Sequence, residues 1–433
     1  MEREKRNIVI IGGGAAGLCA GVLCARAGLT VTLLEKTEVC GRKLSMTGNG
    51  RCNLSNLRME ASCFDVAEGS LPERLLGRFG VQETISFFSA VGILVRDEEG
   101  YLYPVSGQAQ SVTEALVNAY LAAGGNIVYR RQAKEILPGT EEDGSRWTVR
   151  TAGECYPADA VILASGGLSG PKNTKSTGDG YYIAERLGAS VTQTYPALCG
   201  LQSPDALLPK ESGVRVRARV SFFGEDESLL AEERGEVQLT AGRVSGIPVM
   251  QASSLVAKTL AEGRRVTLSL DLFPETEDAA FAETVAGRIR DLSGIQPLRT
   301  EEASSGESAA KPGTLGGFLL GFAHSAIHHI ILERYALSAD TPLTELPESR
   351  LSELLHAYRN LRFTVSGTDG FAHAQATEGG IALSSLTEEL ELKTAPGVYC
   401  IGELVDVCGR CGGYNLQWAW TSAMCAAKAL TSG

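Results

Sequence analysis

No stretch of 18 or more apolar residues occurs in this chain, so no segment is expected to span a membrane as a helix. The opening Met-Glu-Arg-Glu-Lys-Arg runs straight into an apolar strand, with no h-region and no small-residue cleavage site. A secretory leader is therefore not expected. Basic charge is not in excess: 40 Lys+Arg stand against 51 Asp+Glu, a formal net charge of −11. That balance argues against a general binder of nucleic acid or anionic membrane, both of which need basic surface. The 11 cysteines are odd in number and scattered. They are read as reduced thiols of a cytoplasmic protein, not as a disulfide framework. Internal repeats, a collagen period and long low-complexity tracts are missing. So are the G-x-S-x-G elbow, the G-x-x-x-x-G-K-S/T loop and H-E-x-x-H. His324 and His328 are four apart, but Ser-Ala-Ile fills the interval, so no metal site is expected.

Glycine is the opposite case. There are 50, roughly 12% against a typical ~7%, which points to many turns and close approaches of backbone to a ligand. At roughly 100–200 residues per domain the 433 residues predict two or three domains. The clearest signal comes first. Asn7-Ile8-Val9-Ile10-Ile11 reads as a buried strand, followed at once by Gly12-Gly13-Gly14-Ala15-Ala16-Gly17. Leu18 to Ala27 reads as a helix stopped by Gly28, and Thr30 to Leu34 as a second strand closed by Glu35. This is strand, G-x-G-x-x-G, helix, strand, acid. Gly12 permits the tight turn, Gly14 lets a pyrophosphate approach the backbone, and Gly17 allows close helix packing. Ala15 and Ala16 lie at the helix N-terminus, which offers free N–H groups and a positive dipole end to phosphate. Glu35 can accept from a ribose hydroxyl and would repel a 2′-phosphate. Gly14→Val is expected to cost the cofactor and to weaken the fold.

The next segment selects the dinucleotide. Gly41-Arg42-Lys43 and Gly48-Asn49-Gly50-Arg51-Cys52-Asn53 form a second Gly- and Arg-rich stretch just after the ribose acid. A simple NAD dehydrogenase does not need one; an extended FAD does. Arg42 and Lys43 are placed to neutralise phosphate, and Gly50 to turn backbone N–H groups toward a flavin. Asp159 to Leu163 reads as a strand ending in Ala164-Ser165-Gly166-Gly167, and Thr177-Gly178-Asp179-Gly180 opens a helix over Tyr181–Leu187. Near the C-terminus the strand Val398 to Ile401 leads to Gly402-Glu403, Asp406, Gly412-Gly413-Tyr414-Asn415 and a last helix, Leu416 to Leu430. Asn415 reads as its N-cap. A second G-x-G-x-x-G is not found, so one dinucleotide domain is expected.

These blocks together resemble the two-dinucleotide-fold flavoproteins of the bile-acid-dehydroxylation (BaiN) and aminoacetone-oxidase type. The carriers are Ile10 to Gly17, Gly41 to Asn56, Tyr103 to Ser106, Leu163 to Gly180, Thr364 to Gly380 and Gly402 to Gln417. The resemblance implies an α/β fold: a Rossmann-like, glutathione-reductase-type FAD-binding domain with an inserted β-barrel and a small helical subdomain. It implies flavin contacts at Gly12, Gly14, Gly17, Glu35, Lys36, Arg42, Lys43, Arg51, Cys52, Asn53, Ala164, Gly166, Asp179, Gly402, Glu403, Asn415 and Leu416, with Ala133 meeting the adenine. The chain departs from the family in three places. Ala241 stands where a His is usual, Gly48-Asn49-Gly50 replaces a glycine triplet, and Cys408 and Cys411 form a C-x-x-C. That C-x-x-C lies in a glycine loop and is read as plain loop, with redox or metal use as the alternative. Cys40 and Cys52 are read as structural.

The FAD domain is expected over 1–193 and 366–433, with the insertion at 194–365 and its helical part near 275–337. Alternation of Val214, Val216, Ala218, Val220 and Phe222 with arginines marks a half-exposed strand, and Val266 to Leu270 reads likewise. Thr276 to Leu292 and Leu315 to Leu337 read as helices, and Thr300 to Thr314 as a solvated loop. The resemblance implies an FAD-dependent oxidoreductase passing hydride through flavin N5. The leading reading is reduction of a bile-acid-like or other C=C conjugated to a carbonyl, with NAD(P)H as a transient co-substrate. Oxidation of a small amine such as aminoacetone is the alternative. A non-catalytic flavin-binding or RNA-modification accessory protein is another. A small-molecule substrate is expected, and neither nucleic acid nor membrane. Oligomeric state and general acid or base are left open; Tyr414 is a candidate better read as packing.

Overall fold

The computed structural model describes residues 6–66, 70–140, 144–209, 213–292 and 313–432. The chain divides into two units, residues 1–198 with 370–433, and residues 199–369.

The first unit is built on a five-stranded parallel sheet. Its spatial order is Val398–Cys400, Ala160–Leu163, Asn7–Ile11, Thr30–Glu35, Asn126–Tyr129. Apolar residues line both faces of the three inner strands. Ile10 pairs with Leu33 on one side and Ile162 on the other. Such continuous runs suit a sheet covered on both sides. The crossover helix Ala15–Arg26 is small and apolar along most of its length, which lets it lie against the C-terminal helix Tyr414–Thr431. Trp418 and Trp420 of that helix are fully buried, and each indole N–H is used, Trp418 on Gly402 O at 3.1 Å and Trp420 on Leu54 O at 2.9 Å. Because the strands are parallel, the turns after Ile11, Glu35, Leu163 and Cys400 all emerge at one end of the sheet. Among the described residues the unit also has two antiparallel strand pairs, Tyr195–Ala197 with Ala376–Glu378 and Phe64–Asp65 with Cys408–Gly409, and two three-stranded antiparallel sheets. One comprises Glu135–Pro138, Trp147–Arg150 and Cys155–Ala158; the other has Tyr101–Pro104 between Ser55–Asn56 and Val95–Glu98.

The second unit has its own core, with Phe222, Phe318, Tyr358 and Phe363 at its centre. A long hairpin, Val214–Phe223 with Leu229–Thr240, begins an antiparallel sheet that runs on through Val266–Asp271 on one side and Arg243–Ser245 and Leu201–Gln202 on the other. Its two ends are Leu361–Val365 and Gly367–Thr368, which are successive pieces of one stretch of chain. The sheet therefore returns on itself, the first and last strands being neighbours along one stretch of chain. Ala241, where a His was the family's usual residue, sits with Gly242 in the turn between Thr240 and Arg243.

One helix reading is corrected. Leu315–Leu337 is not one helix: it is Leu315–Leu319 and then Ser325–Arg334. Leu320 is extended, Gly321 has φ +89°, and His324 caps the second helix by accepting from Ala326 N. The reading of Thr300 to Thr314 as a loop falls outside the described residues up to 312.

Candidate functional site

The three fingerprint glycines have separate physical duties. Gly12 has φ +108°, and a Cβ there would lie 2.5 Å from Ala164 O on the next strand's end. A Cβ on Gly17 would lie 2.0 Å from Gly12 O, so only glycine lets the helix start this close to the turn. Around Gly14 there is nothing within 4 Å of a Cβ position. Gly14 is the N-cap, and the first intrahelical bond is Leu18 N to Gly14 O. The N–H groups of Ala15, Ala16 and Gly17 thus have no helical carbonyl. Free N–H groups, a dipole end and open space before them make an anion cradle.

Glu35 ends the second strand, buried at 9% exposure. Its Oε2 accepts from Gly13 N at 2.9 Å and its Oε1 from Thr37 N at 2.8 Å. Each oxygen keeps a further lone pair, so the carboxylate both pins the turn and can receive a sugar hydroxyl. The adjacent Lys36 reaches Thr177 Oγ1 at 2.7 Å and Asp179 Oδ2 at 2.9 Å, and Gln132 Nε2 bonds the same Oδ2 at 2.9 Å. Burial pushes the Asp179 carboxyl up, but the hydrogen bonds from Lys36, Gln132 and Thr177 outweigh it and hold it below its ordinary value. Ala133 is buried directly after Gln132. Gly178, with φ +71°, caps the helix Asp179–Arg186.

The expected phosphate pair is split. Arg42 is engaged by Glu38, four residues before it. Lys43 is engaged by Glu403 and Ser169; Glu403 Oε1 also accepts from Ser169 Oγ at 2.9 Å and Thr377 N at 2.8 Å. Four segments distant in sequence meet in this network. Gly41 N donates to Gly13 O at 2.8 Å, tying the same loop to the fingerprint. The turn after Leu163 brings Ser165 here with its buried Oγ unpartnered. Gly166 has open space beside it, while a Cβ on Gly167 would meet Thr377 Oγ1 at 2.5 Å.

The second glycine stretch is left-handed almost throughout: Gly48 φ +56°, Asn49 φ +54°, Gly50 φ +84° and Cys52 φ +60°. It delivers Asn53, whose buried Oδ1 has no partner and lies 2.8 Å from the Cβ position of Gly413. Arg51 points elsewhere. It donates to both oxygens of Glu98 at 2.7 Å and stacks on Tyr103. Asn415 is not the N-cap of the last helix. Gly413, with φ +96°, holds that position, and the Asn415 carboxamide instead bonds Gly409 N and O at 2.9 and 2.7 Å. Tyr414 packs on Phe64 and donates its hydroxyl to Arg58 O at 3.1 Å. Leu416 is half-buried on the first turn of the helix. Gly402 N is taken by Ser422 Oγ at 2.9 Å, and Asp406 accepts from Thr192 Oγ1 at 3.0 Å.

Most of the cysteines are buried, and those near the site behave as hydrophobes. Burial pushes the thiols of Cys40 and Cys52 up to about 12 and raises that of Cys411 as well, the opposite of what a redox nucleophile needs. Among the described residues no group of three His, Cys, Asp or Glu is arranged to hold a metal, and no helix is long and apolar enough to cross a membrane. Sequence reasoning assigned no role to Gln417, a fully buried carboxamide that bonds Ser55 Oγ at 2.6 Å, Thr84 Oγ1 at 2.9 Å and Thr421 Oγ1 at 3.0 Å. Its signal was available: an amide flanked by Leu416 and Trp418 on the first turns of a largely apolar helix. Ser169, Thr377 and Glu98 carried no such signal.

The residues present fit a dinucleotide that continues past its first phosphates. The open space at Gly14 is one end; the orphaned Ser165 Oγ and Asn53 Oδ1 are further polar atoms without partners. A family model described as the HI0933-like protein Rossmann domain matches residues 6–429. Over 432 residues the chain is 35% identical to a 3-dehydro-bile acid delta(4,6)-reductase of Clostridium scindens, with 98% of each chain covered. It is 28% identical over 439 residues to a ribosomal RNA dihydrouridine synthase of Escherichia coli, covering 99% of this chain and 98% of that one. Among solved structures, a 3-ketosteroid delta1-dehydrogenase from Sterolibacterium denitrificans aligns over 99% of this chain and 100% of its own at 13% identity and TM-score 0.48.

Proposed function

Because the chain belongs to the HI0933-like Rossmann-domain family, we propose that this FAD-dependent oxidoreductase reduces a C=C bond conjugated to a carbonyl, with a nicotinamide as electron source. The observation that carries the reading is the end-to-end 35% identity to a delta(4,6)-reductase of a 3-dehydro-bile acid. A dihydrouridine synthase, the second full-length relative, also acts on a C=C beside a carbonyl, in the uracil ring. The two relatives differ in substrate and agree in the bond.

In this reading Gly14 and the N–H groups of Ala15 to Gly17 bind the pyrophosphate, Glu35 the adenosine ribose, and Asn53 and Ser165 groups nearer the flavin. FAD supplies a two-electron, hydride-donating centre. The chain's own part is to bind it, orient it and hold the substrate against it. The sequence offers a single G-x-G-x-x-G, so the nicotinamide is a visitor, leaving before the acceptor enters.

A small enone is favoured over RNA. The net charge is −11. The arginines of the Val214–Phe223 strand are each engaged by carboxylates, Arg215 by Glu236 at 2.9 Å, Arg217 by Glu275 at 3.4 Å and Arg219 by Asp271 at 2.8 Å. They do not form a free phosphate-binding stripe.

Anaerobic stopped-flow tests the reading. NADH or NADPH should bleach the yellow protein, and a steroid 4,6-dien-3-one should restore the colour. Initial rates with both substrates varied should give parallel lines. Bleaching by aminoacetone with peroxide on re-aeration would replace this reading with the oxidase. Recolouring by ribosomal RNA but not by any dienone would move the substrate to uridine.

A further inference from the structure

The strand Tyr101–Pro104 is the middle one of its small sheet. Leu102 and Pro104 are buried on one face, and Tyr101 and Tyr103 share the other. That second face lies against two glycine loops. The Tyr101 ring comes within 2.8 Å of the Cβ position of Gly412, and the Tyr103 ring within 3.8 Å of that of Gly48. Between these loops stands the orphaned Oδ1 of Asn53, beside Gly413. The tyrosine face thus borders the place assigned above to the flavin end of the cofactor.

Tyr103 is the more fixed of the two rings. The Arg51 guanidinium carbon lies 4.3 Å from its centroid. Arg51 is itself held by Glu98, which also receives Arg96 at 2.7 Å. Among the described residues the Tyr103 hydroxyl has no hydrogen-bond partner, unlike Tyr414, committed to Arg58 O, and Tyr120, committed to Val31 O at 2.8 Å. A half-buried phenol with a clamped ring and an uncommitted hydroxyl is poised to give a proton. Burial raises its ionisation above the ordinary tyrosine value, so it carries that proton throughout the neutral range.

We propose that Tyr103 is the proton donor of the reaction, protonating the carbon α to the substrate carbonyl. The inference rests on the reductase reading above. The substrate C=C gains two electrons and one hydrogen at its β-carbon from the reduced cofactor, recharged by the nicotinamide. The Tyr103 O–H bond breaks as the α-carbon–H bond forms. The phenolate left behind lies under the Arg51 cation and recovers its proton from water.

Tyr103→Phe tests this with four measurements on the FAD-loaded protein. Bound FAD and its absorbance spectrum should match the parent, and so should the rate of bleaching by NADPH. The dissociation constant of androsta-4,6-diene-3,17-dione for the oxidised protein, read from perturbation of the flavin band, should change by less than about threefold. Recolouring of the reduced protein by that dienone should slow about 100-fold or more, the usual worth of a general acid, while recolouring by O₂ stays as in the parent. Parent-like recolouring by the dienone would overturn the proposal, as would equal slowing with both acceptors, which would place Tyr103 on the cofactor instead. If the parent protein itself is not recoloured by the dienone, the reductase reading has failed, and the proposal falls with it for a reason visible without the variant.

Discussion

Two glycines three residues apart in one motif should fail in opposite ways. At Gly17 an added Cβ would stand 2.0 Å from Gly12 O, a backbone atom in the turn. The helix must shift by more than about 1 Å, and it is wedged between the sheet and the helix Tyr414–Thr431. Overpacking of this kind costs about 1–3 kcal/mol. The better helix propensity of alanine returns about 1 kcal/mol. The net for Gly17→Ala is a loss of up to about 2 kcal/mol in the cofactor-free protein, a fall in Tm of up to roughly 8 °C at about 2–4 °C per kcal/mol. At Gly14 a Cβ meets nothing within 4 Å, and the backbone φ of −81° suits any residue. The small penalty for alanine at an N-cap is offset by a stiffer unfolded chain, so Gly14→Ala should shift apoprotein stability by less than about 1 kcal/mol. It should nevertheless weaken FAD tenfold or more, about 1.4 kcal/mol, because the space it fills is where the pyrophosphate must touch backbone. Thermal melts of the apoproteins and titrations of FAD fluorescence quenching read both quantities. If Gly14→Ala melts as low as Gly17→Ala, or binds FAD like the parent, the division of labour is wrong.

Three further outcomes follow from hydrogen-bonded polar groups. Glu35→Ala leaves the Gly13 and Thr37 N–H groups without acceptors. The apoprotein should lose about 1–3 kcal/mol in a denaturant melt, with Glu35→Gln losing less because one acceptor remains. Gln417→Leu strands Ser55 and Thr84 in the interior and should cost about 2–3 kcal/mol, lowering the urea midpoint at constant slope. Asp179 has a folded-state pKa below its ordinary value through Lys36, Gln132 and Thr177. Its stabilising contribution is complete above about pH 4 to 5 and fades as pH falls below the ordinary aspartate value of about 3.9. Asp179→Asn should therefore be less stable than the parent at neutral pH, with the gap closing toward pH 3; a gap that widens on acidification would refute the sign.

What the linear sequence determined is whatever is decided within a few residues. A short apolar β-branched run bounded by turn residues packs well as a buried strand. A G-x-G-x-x-G that follows it must turn tightly and open a helix, and the first strand, turn, helix and second strand stand where the pattern put them. Ala218, Val220 and Phe222 alternate inward because a strand alternates. The break in Leu315–Leu337 is local, at Gly321 and His324, whereas other side chains found partners outside their own stretch. Asn415 has the chemistry of an N-cap, but its carboxamide is claimed by Gly409 once the loop folds back. Arg42 and Lys43 look like a phosphate pair side by side, yet Lys43 finds Glu403 some 360 residues away. Glu35 was legible as an acid at a strand end, but not as the group that fastens Gly13. Closure of the barrel depends on Leu361–Thr368 pairing on both sides with strands far back in the chain, and the clamp on Tyr103 depends on a hairpin crossing the 48–53 loop. Local sterics and hydrophobic period fix elements; which charges and amides end as partners is settled only when the chain brings them within hydrogen-bond reach and removes the water that competed for them.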